Sequence, residues 1–117
     1  MQFPELVTLL EQHPEQVRLQ FSLSADMPCF AGHFDEFPVL AGVVQIHWAV
    51  HWARQYLNVH GQFRALQSVK FQQLIRPPAQ LQLQLTWLPE RHALRFRYKC
   101  LHMGLATQGL ILLTEPQ

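Results

Sequence analysis

Residues 29–53 read CFAGHFDEFPVLAGVVQIHWAVHWA and are the most informative stretch of the chain. His33 lies in a Gly-His-Phe turn, Pro38 in a short loop, and Gly42 at the point where an apolar helix begins. The first N–H groups of a helix have no partner within it and carry the positive end of the helix dipole. A histidine close to such a helix start can bind and polarise a carbonyl group. The stretch therefore predicts a site for carbonyl chemistry.

Residues 42–58 are the long helical candidate of the sequence. Apolar side chains occupy most of its faces, and two tryptophans widen that surface. These side chains are Val43, Val44, Ile46, Trp48, Ala49, Val50, Trp52, Ala53, Tyr56 and Leu57. A helix that is apolar on most of its faces is buried on most of its faces. Turn residues at 58–61 end it, so the sequence predicts one buried central helix.

The rest of the chain is predicted mainly as strands. Residues 4–12 are the exception, because three leucines share one face of a predicted short helix that His13-Pro14 ends. Residues 17–23 alternate apolar and polar side chains, a period of two that is typical of a half-buried strand. Four further strands follow the helix and are predicted at residues 64–75, 81–87, 94–100 and 104–114.

One strand, a buried helix and four strands predict a single α+β domain over residues 1–117, in which an antiparallel sheet wraps around one long central helix. Such a sheet has open edges, which often pair with a second copy of the chain. The charged fraction is 15%, against a usual value of about 25%. This low fraction also indicates that another subunit covers part of the apolar surface.

Charge and cysteine usage exclude several classes of protein. The formal net charge is +1 without a run of Lys or Arg, so neither a nucleic-acid nor an anionic-membrane surface is indicated. Cys29 and Cys100 are far apart and form neither a disulfide framework nor a zinc knuckle. The N-terminus lacks the features of a signal peptide, and the apolar stretch at 38–57 is too polar for a membrane span. We therefore expect a cytoplasmic protein.

The string G-H-F-x-x-x-P-x-x-x-G-V at residues 32–43, followed by the helix, resembles the hotdog-fold 3-hydroxyacyl-thioester dehydratases, which act on acyl chains carried by acyl carrier protein. Residues 69–77 resemble the strand that follows the helix in that family. The Phe-x-Gly-His-Phe entry and the Val-Gln-Ile-x-Trp-Ala helix are most similar to the small dehydratase of aryl-polyene-type lipid pathways. The resemblance covers nearly the whole chain. It implies a hotdog-fold lyase of fatty-acid or aryl-polyene-type biosynthesis.

The resemblance implies a role for each residue of the motif. His33 corresponds to the base that removes a proton from the carbon next to the thioester carbonyl, a task that suits imidazole. Gly42 corresponds to the glycine whose amide stabilises negative charge on the thioester oxygen. The plainer alternatives are a histidine that bonds the turn backbone and a glycine that eases the turn into the helix. The residues expected to contact substrate are Phe34, Pro38, Val43 and Phe71.

The third catalytic position departs from the family pattern. The family usually carries Glu or Asp five residues after the glycine, where the carboxylic acid protonates the departing β-hydroxyl. This chain carries His47 there, and residues 42–58 contain no Asp or Glu. Three alternatives stay open. His47 donates the proton as an imidazolium, Asp35 or Glu36 substitutes for the carboxylate, or dehydration is lost and the protein only binds acyl groups.

In the family, the motif histidine of one chain faces the helix residue of the other across a dimer. The resemblance thus implies a homodimer or higher even oligomer, or a heterodimer with a homologous dehydratase, and acyl carrier protein as partner. No cofactor is expected. A non-catalytic acyl-binding partner of an active homologue and a hotdog thioesterase are the alternative functions.

A metal site is not expected either. His47 and His51 are four residues apart and share a helix face, and three imidazoles including His33 could in principle hold zinc. The pair lacks the glutamate of the metalloprotease helix motif, since Trp48 and Ala49 follow His47.

Overall fold

The computed structural model describes residues 3–30 and 38–115. His33, Phe34, Asp35 and Glu36 lie outside the described residues. No helix in the described part of the chain is long and apolar enough to cross a membrane.

The described chain consists of six strands, one α-helix and two short 3₁₀ turns. In chain order the elements are β1 (Val7–His13), β2 (Gln16–Leu23), a 3₁₀ turn (Pro28–Phe30), α1 (Gly42–Tyr56), β3 (Phe63–Phe71), β4 (Ala79–Leu88), a 3₁₀ turn (Pro89–Arg91), β5 (Ala93–Cys100) and β6 (Gly104–Leu113). The strands form one sheet in the order β1-β2-β4-β5-β6-β3, and every neighbouring pair is antiparallel. This confirms the predicted α+β class with its single helix.

The prediction of a helix at residues 4–12 is wrong. Residues 7–13 form β1 and pair with β2 in a tight hairpin, from Val7 opposite Phe21 to His13 opposite Gln16. The leucine spacing is compatible with a helix that buries Leu6, Leu9 and Leu10 on one face. These side chains are instead 85%, 45% and 40% exposed, so there is no buried leucine face. Pairing along β2 gives the segment its backbone partners, and this tertiary context outweighs the local pattern.

The core lies between α1 and the concave face of the sheet. Alternate residues of β2, β4 and β5 point into it, as the period of two requires. Trp48 is fully buried, and its ring meets that of Phe21 edge-on with centroids 5.8 Å apart. Trp52 packs beside both rings. The helix therefore uses its widest side chains to fill the space that the curved sheet encloses.

A buried hydrogen bond fixes the helix on the sheet. The Tyr98 hydroxyl of β5 donates to the backbone carbonyl of Gln45 at 2.6 Å. Complete burial raises the pKa of this hydroxyl well above its usual value, so Tyr98 remains a neutral donor. The acceptor lies in the first turn of α1, so the bond fixes the position of the helix start relative to β5.

Gly109 of β6 allows the edge strand β3 to approach closely. A Cβ atom at this position would lie 2.7 Å from Val69 Cγ2 and 2.9 Å from Val69 Cα. The pairing of β3 with β6 is irregular here, with a shift of register between Gln67 and Lys70. A side chain at 109 would therefore press against backbone that cannot yield without moving the strand.

We expect Gly109→Ala to lower the free energy of unfolding by about 1–3 kcal/mol, the usual cost of overpacking a close contact. Chemical denaturation measures the change. Gln108→Ala, one residue away in the same strand, is the matched control and should have a smaller effect. Equal stability of the two variants would contradict the close contact.

Candidate functional site

The start of α1 presents unused backbone donors. Ala41 precedes the helix with φ −62° and ψ 145°, and it makes no side-chain cap. Its carbonyl accepts the N–H groups of Val44 and Gln45, each at 3.1 Å. Within the described part of the chain, Gly42 and Val43 donate their N–H groups to no protein acceptor. These two donors, at the positive end of the helix dipole, suit an oxygen that gains negative charge.

Gln45 holds the loop that leads into the helix. Its side chain is 2% exposed, and Nε2 donates to the carbonyl of Leu40 at 3.0 Å. Leu40 is also held from the other side, because its N–H donates to the carbonyl of Ile75 at 2.8 Å. In the sequence, Gln45 is recognisable only as one residue of a helix motif. A polar residue within an apolar helix must find hydrogen-bond partners if it is buried, and that rule could have found it.

Phe71, at the end of β3, covers the start of the helix. A Cβ atom at Gly42 would lie 2.7 Å from Phe71 Cζ and 2.8 Å from Cε1. A side chain at position 42 would therefore displace this ring, which is the far end of a flexible side chain. Phe71 remains 55% exposed, so the ring borders solvent as well as the helix.

A cavity of about 580 Å³ lies between α1 and the edge strand β3. Its lining is apolar apart from one histidine and one arginine, and it consists of Gly42, Val43, Ile46, His47, Val50, Arg54, Phe63, Leu66 and Phe71. Concave apolar sites of several hundred Å³ with few polar groups are typical of small-molecule binding. The helix donors thus open directly onto a space that suits an acyl chain.

The structure brings together four of the predicted site residues, namely Gly42, Val43, His47 and Phe71, around this cavity. Pro38 is partly buried in the loop before α1 and does not line the cavity. His33 and Phe34 fall outside the described residues, so their predicted roles remain predictions.

The two helix histidines share one aromatic neighbour. The Phe3 ring stacks on His51 with centroids 4.1 Å apart and on His47 at 5.6 Å. Burial lowers the pKa of His51, and the charges of His47 and Arg54 lower it further. His51 therefore favours the neutral form, while His47 lines the cavity.

The described part of the helix supplies no acid of its own. α1 contains neither Asp nor Glu, and the alternative acids Asp35 and Glu36 lie outside the described residues. Among residues 3–30 and 38–115, no group of three or more His, Cys, Asp or Glu side chains is placed to hold a metal ion.

Comparison with known families identifies the chain. The family model described as ApeI-like, ApeI dehydratase, matches residues 10–109. The chain belongs to the ApeI-like dehydratase family. This confirms the predicted family and supports dehydration as the class of reaction. The comparison with curated protein sequences gave no significant match.

Solved structures place this ApeI-like protein among hotdog folds. It is 32% identical to a chain of the dehydratase heterocomplex ApeI:P from Xenorhabdus doucetiae, with a TM-score of 0.82, covering 92% of this chain and 97% of that one. It is also 32% identical to an uncharacterized protein from Erwinia carotovora subsp. atroseptica, with a TM-score of 0.79 and coverage of 93% and 92%. The dehydratase domain from the CurF module of curacin polyketide synthase has a TM-score of 0.68 at 17% identity, covering 96% of this chain and 44% of that one, and shows the fold alone.

The lowered pKa of His51 predicts an acid-sensitive stability. The folded state binds fewer protons than the unfolded state once the pH falls below the unfolded histidine pKa of about 6.5, so the free energy of unfolding decreases there. We expect His51→Gln to lose less stability than the unmodified protein between about pH 7.5 and about pH 5.5. Thermal unfolding at both pH values measures it. The exposed His60→Gln is the control, and an unchanged pH dependence in His51→Gln would contradict the assignment.

Proposed function

We propose that this ApeI-like protein dehydrates a 3-hydroxyacyl thioester, carried by an acyl carrier protein, to the trans-2-enoyl thioester in fatty-acid or aryl-polyene-type lipid biosynthesis. The observation that carries the proposal is the apolar cavity that begins at the uncapped start of α1 and contains His47. The thioester carbonyl accepts from the Gly42 N–H, and the acyl chain follows Val43, Ile46 and Val50 along the helix.

The net reaction is the loss of one water: His33 gains a proton, His47 gives one to the leaving hydroxyl, and proton exchange with solvent then returns both histidines to their starting states. His33 takes the proton from the α-carbon, and the electron pair of that C–H bond moves toward the carbonyl. The Gly42 amide stabilises the negative charge that develops on the thioester oxygen. As the Cα–Cβ double bond forms, the bond to the β-hydroxyl breaks and His47, as an imidazolium, gives that oxygen a proton.

A turnover assay tests these roles. The purified protein alone is given a 3-hydroxyacyl thioester on a carrier protein, and the enoyl product is measured. We expect His33→Ala to abolish turnover and His47→Gln to lower kcat by about 100-fold or more, the usual contribution of a general acid or base. His47→Glu restores a carboxylic acid and should recover part of the activity.

The same assay separates a second candidate function. Because α1 has no carboxylate and a relative is part of a dehydratase heterocomplex, the chain could instead bind acyl groups for an active homologue. No turnover by the purified chain, with turnover only after a homologous dehydratase is added, would contradict the enzyme and support the binding partner.

We further propose that a second hotdog chain, either a copy or a homologous dehydratase, closes the cavity along α1 and β3. β3 is the last strand of the sheet. The apolar residues beside it are exposed, with Val43 at 68%, Phe63 at 52% and Leu66 at 41%. Long exposed edges with apolar side chains favour pairing with another chain. In such a dimer, His33 of one chain meets His47 of the other.

Complementation tests the shared site. His33→Ala and His47→Gln chains, each expected to have little or no activity alone, are mixed under conditions that exchange subunits. A heterodimer then has one site with both substitutions and one intact site. We expect about a quarter of the unmodified activity, because about half of the dimers are heterodimers with one intact site of two.

Sedimentation analysis confirms that the mixed chains form dimers. Dimers that exchange but remain inactive would place both histidines of a site in one chain. Each variant mixed with itself is the control, since neither mixture can produce an intact site.

A further inference from the structure

The face of the sheet that points away from α1, here called the outer face, has an unusual charge distribution. Strand pairing places one residue of each of the six strands in a row, which reads Glu11, Arg18, Gln84, Arg97, Gln108 and Lys70. Arg95 and Lys99 lie on the same side of β5 as Arg97, since residues two apart share a face. All these cationic side chains are exposed or partly exposed.

Glu11, at the β1 end of this row, is the only acidic residue in the described strands. Strands β2 to β6 contain no Asp or Glu, so that their five outer cations have no opposite charge on those strands. Glu11 of β1 is at the margin, where it contacts Arg18 at 3.1 Å and His13 at 2.8 Å. The chain as a whole has a net charge of only +1. The positive charge is therefore concentrated on one face rather than spread over the molecule.

Glutamines keep these cations apart. Gln84 stands between Arg18 and Arg97, and Gln108 stands between Arg97 and Lys70. Like charges directly opposite each other on neighbouring strands would destabilise the sheet. The alternation lets the face carry its charge without that cost, and it adds side-chain amides that can donate hydrogen bonds to carboxylates.

We propose that the outer face docks an acidic protein that lays a carboxylate-bearing helix across the strands. Cations two strands apart in the row are separated by about 9.6 Å. Carboxylates seven residues apart on a helix are separated by about 10.5 Å. Three glutamates with this spacing thus face Arg18, Arg97 and Lys70 together. Two hollows on the face, one beside Arg97 and one beside Lys70, receive the intervening side chains.

The same observations argue against other polyanions. None of the residues lining the two hollows is aromatic, so the face has no platform on which bases could stack. Duplex DNA carries one charge per about 1.7 Å of its axis, far denser than the cations of this row. A near-neutral chain also lacks the overall positive field that draws proteins to nucleic acid or to anionic lipid.

A synthetic helical peptide with three glutamates spaced seven residues apart tests the proposal. Its binding to the full chain is measured by fluorescence anisotropy at low ionic strength. We expect the triple variant Arg18→Gln, Lys70→Gln, Arg97→Gln to weaken binding by about tenfold. The triple variant Arg54→Gln, Arg64→Gln, Arg91→Gln removes the same charge outside the row and should retain the affinity. Circular dichroism verifies that both variants fold.

Two further comparisons complete the test. A peptide of the same composition with its glutamates five residues apart should bind more weakly than the matched peptide. Equal loss of affinity in both triple variants would overturn the proposal, as would equal binding of the two peptides. Tighter binding of duplex DNA or of phosphatidylserine vesicles than of the matched peptide would overturn the choice of an acidic protein.

Discussion

The hydrogen bond from the Tyr98 hydroxyl to the Gln45 carbonyl is the constraint on which the site depends. It is buried and joins β5 to the first turn of α1. The other end of the helix has an exposed polar contact with the sheet, from Gln12 Nε2 of β1 to the Tyr56 carbonyl at 2.6 Å. The Gln45 side chain extends the link to Leu40, and Leu40 extends it to Ile75. These hydrogen bonds hold β5, the first turn of α1 and the loop before α1 in fixed positions on either side of Ala41 and Gly42.

This tie determines which side of the helix is available for chemistry. Val44, Trp48 and Trp52 turn toward the core with Gln45. Residues on the other side of α1 then face the edge strand, where Phe71 covers the helix start. The same geometry that buries the tryptophans thus leaves the Gly42 donor and His47 on a shared apolar cavity. The position of α1 on the sheet therefore determines both the packing of the core and the location of the candidate site.

Much of this arrangement could be predicted from sequence, because it follows from short-range patterns. The helix was predicted at residues 42–58 and is found at Gly42–Tyr56, and the alternation in β2, β4 and β5 predicted those strands closely. The segment 4–12 failed because its leucine spacing is compatible with two structures and only its pairing with β2 decides between them. The ring over Gly42 was missed for a related reason, since Phe71 lies far along the chain from the helix start. Gln45 bonds the nearby Leu40 and could have been found, because a buried polar side chain needs a hydrogen-bond partner. His33 was proposed from the motif alone and lies outside the described residues.

If the Gly42 N–H polarises an acyl thioester carbonyl, the carbonyl stretching frequency of a bound, carbon-13-labelled thioester reports it. Gly42→Pro removes the donor at a position where proline suits the helix and the extended Ala41 suits a following proline. Gly42→Ala adds a Cβ atom but keeps the donor, and it is the matched control. We expect a lowered frequency in the unmodified protein and in Gly42→Ala, and a frequency near that of the unbonded thioester in Gly42→Pro. An equally lowered frequency in Gly42→Pro would contradict it.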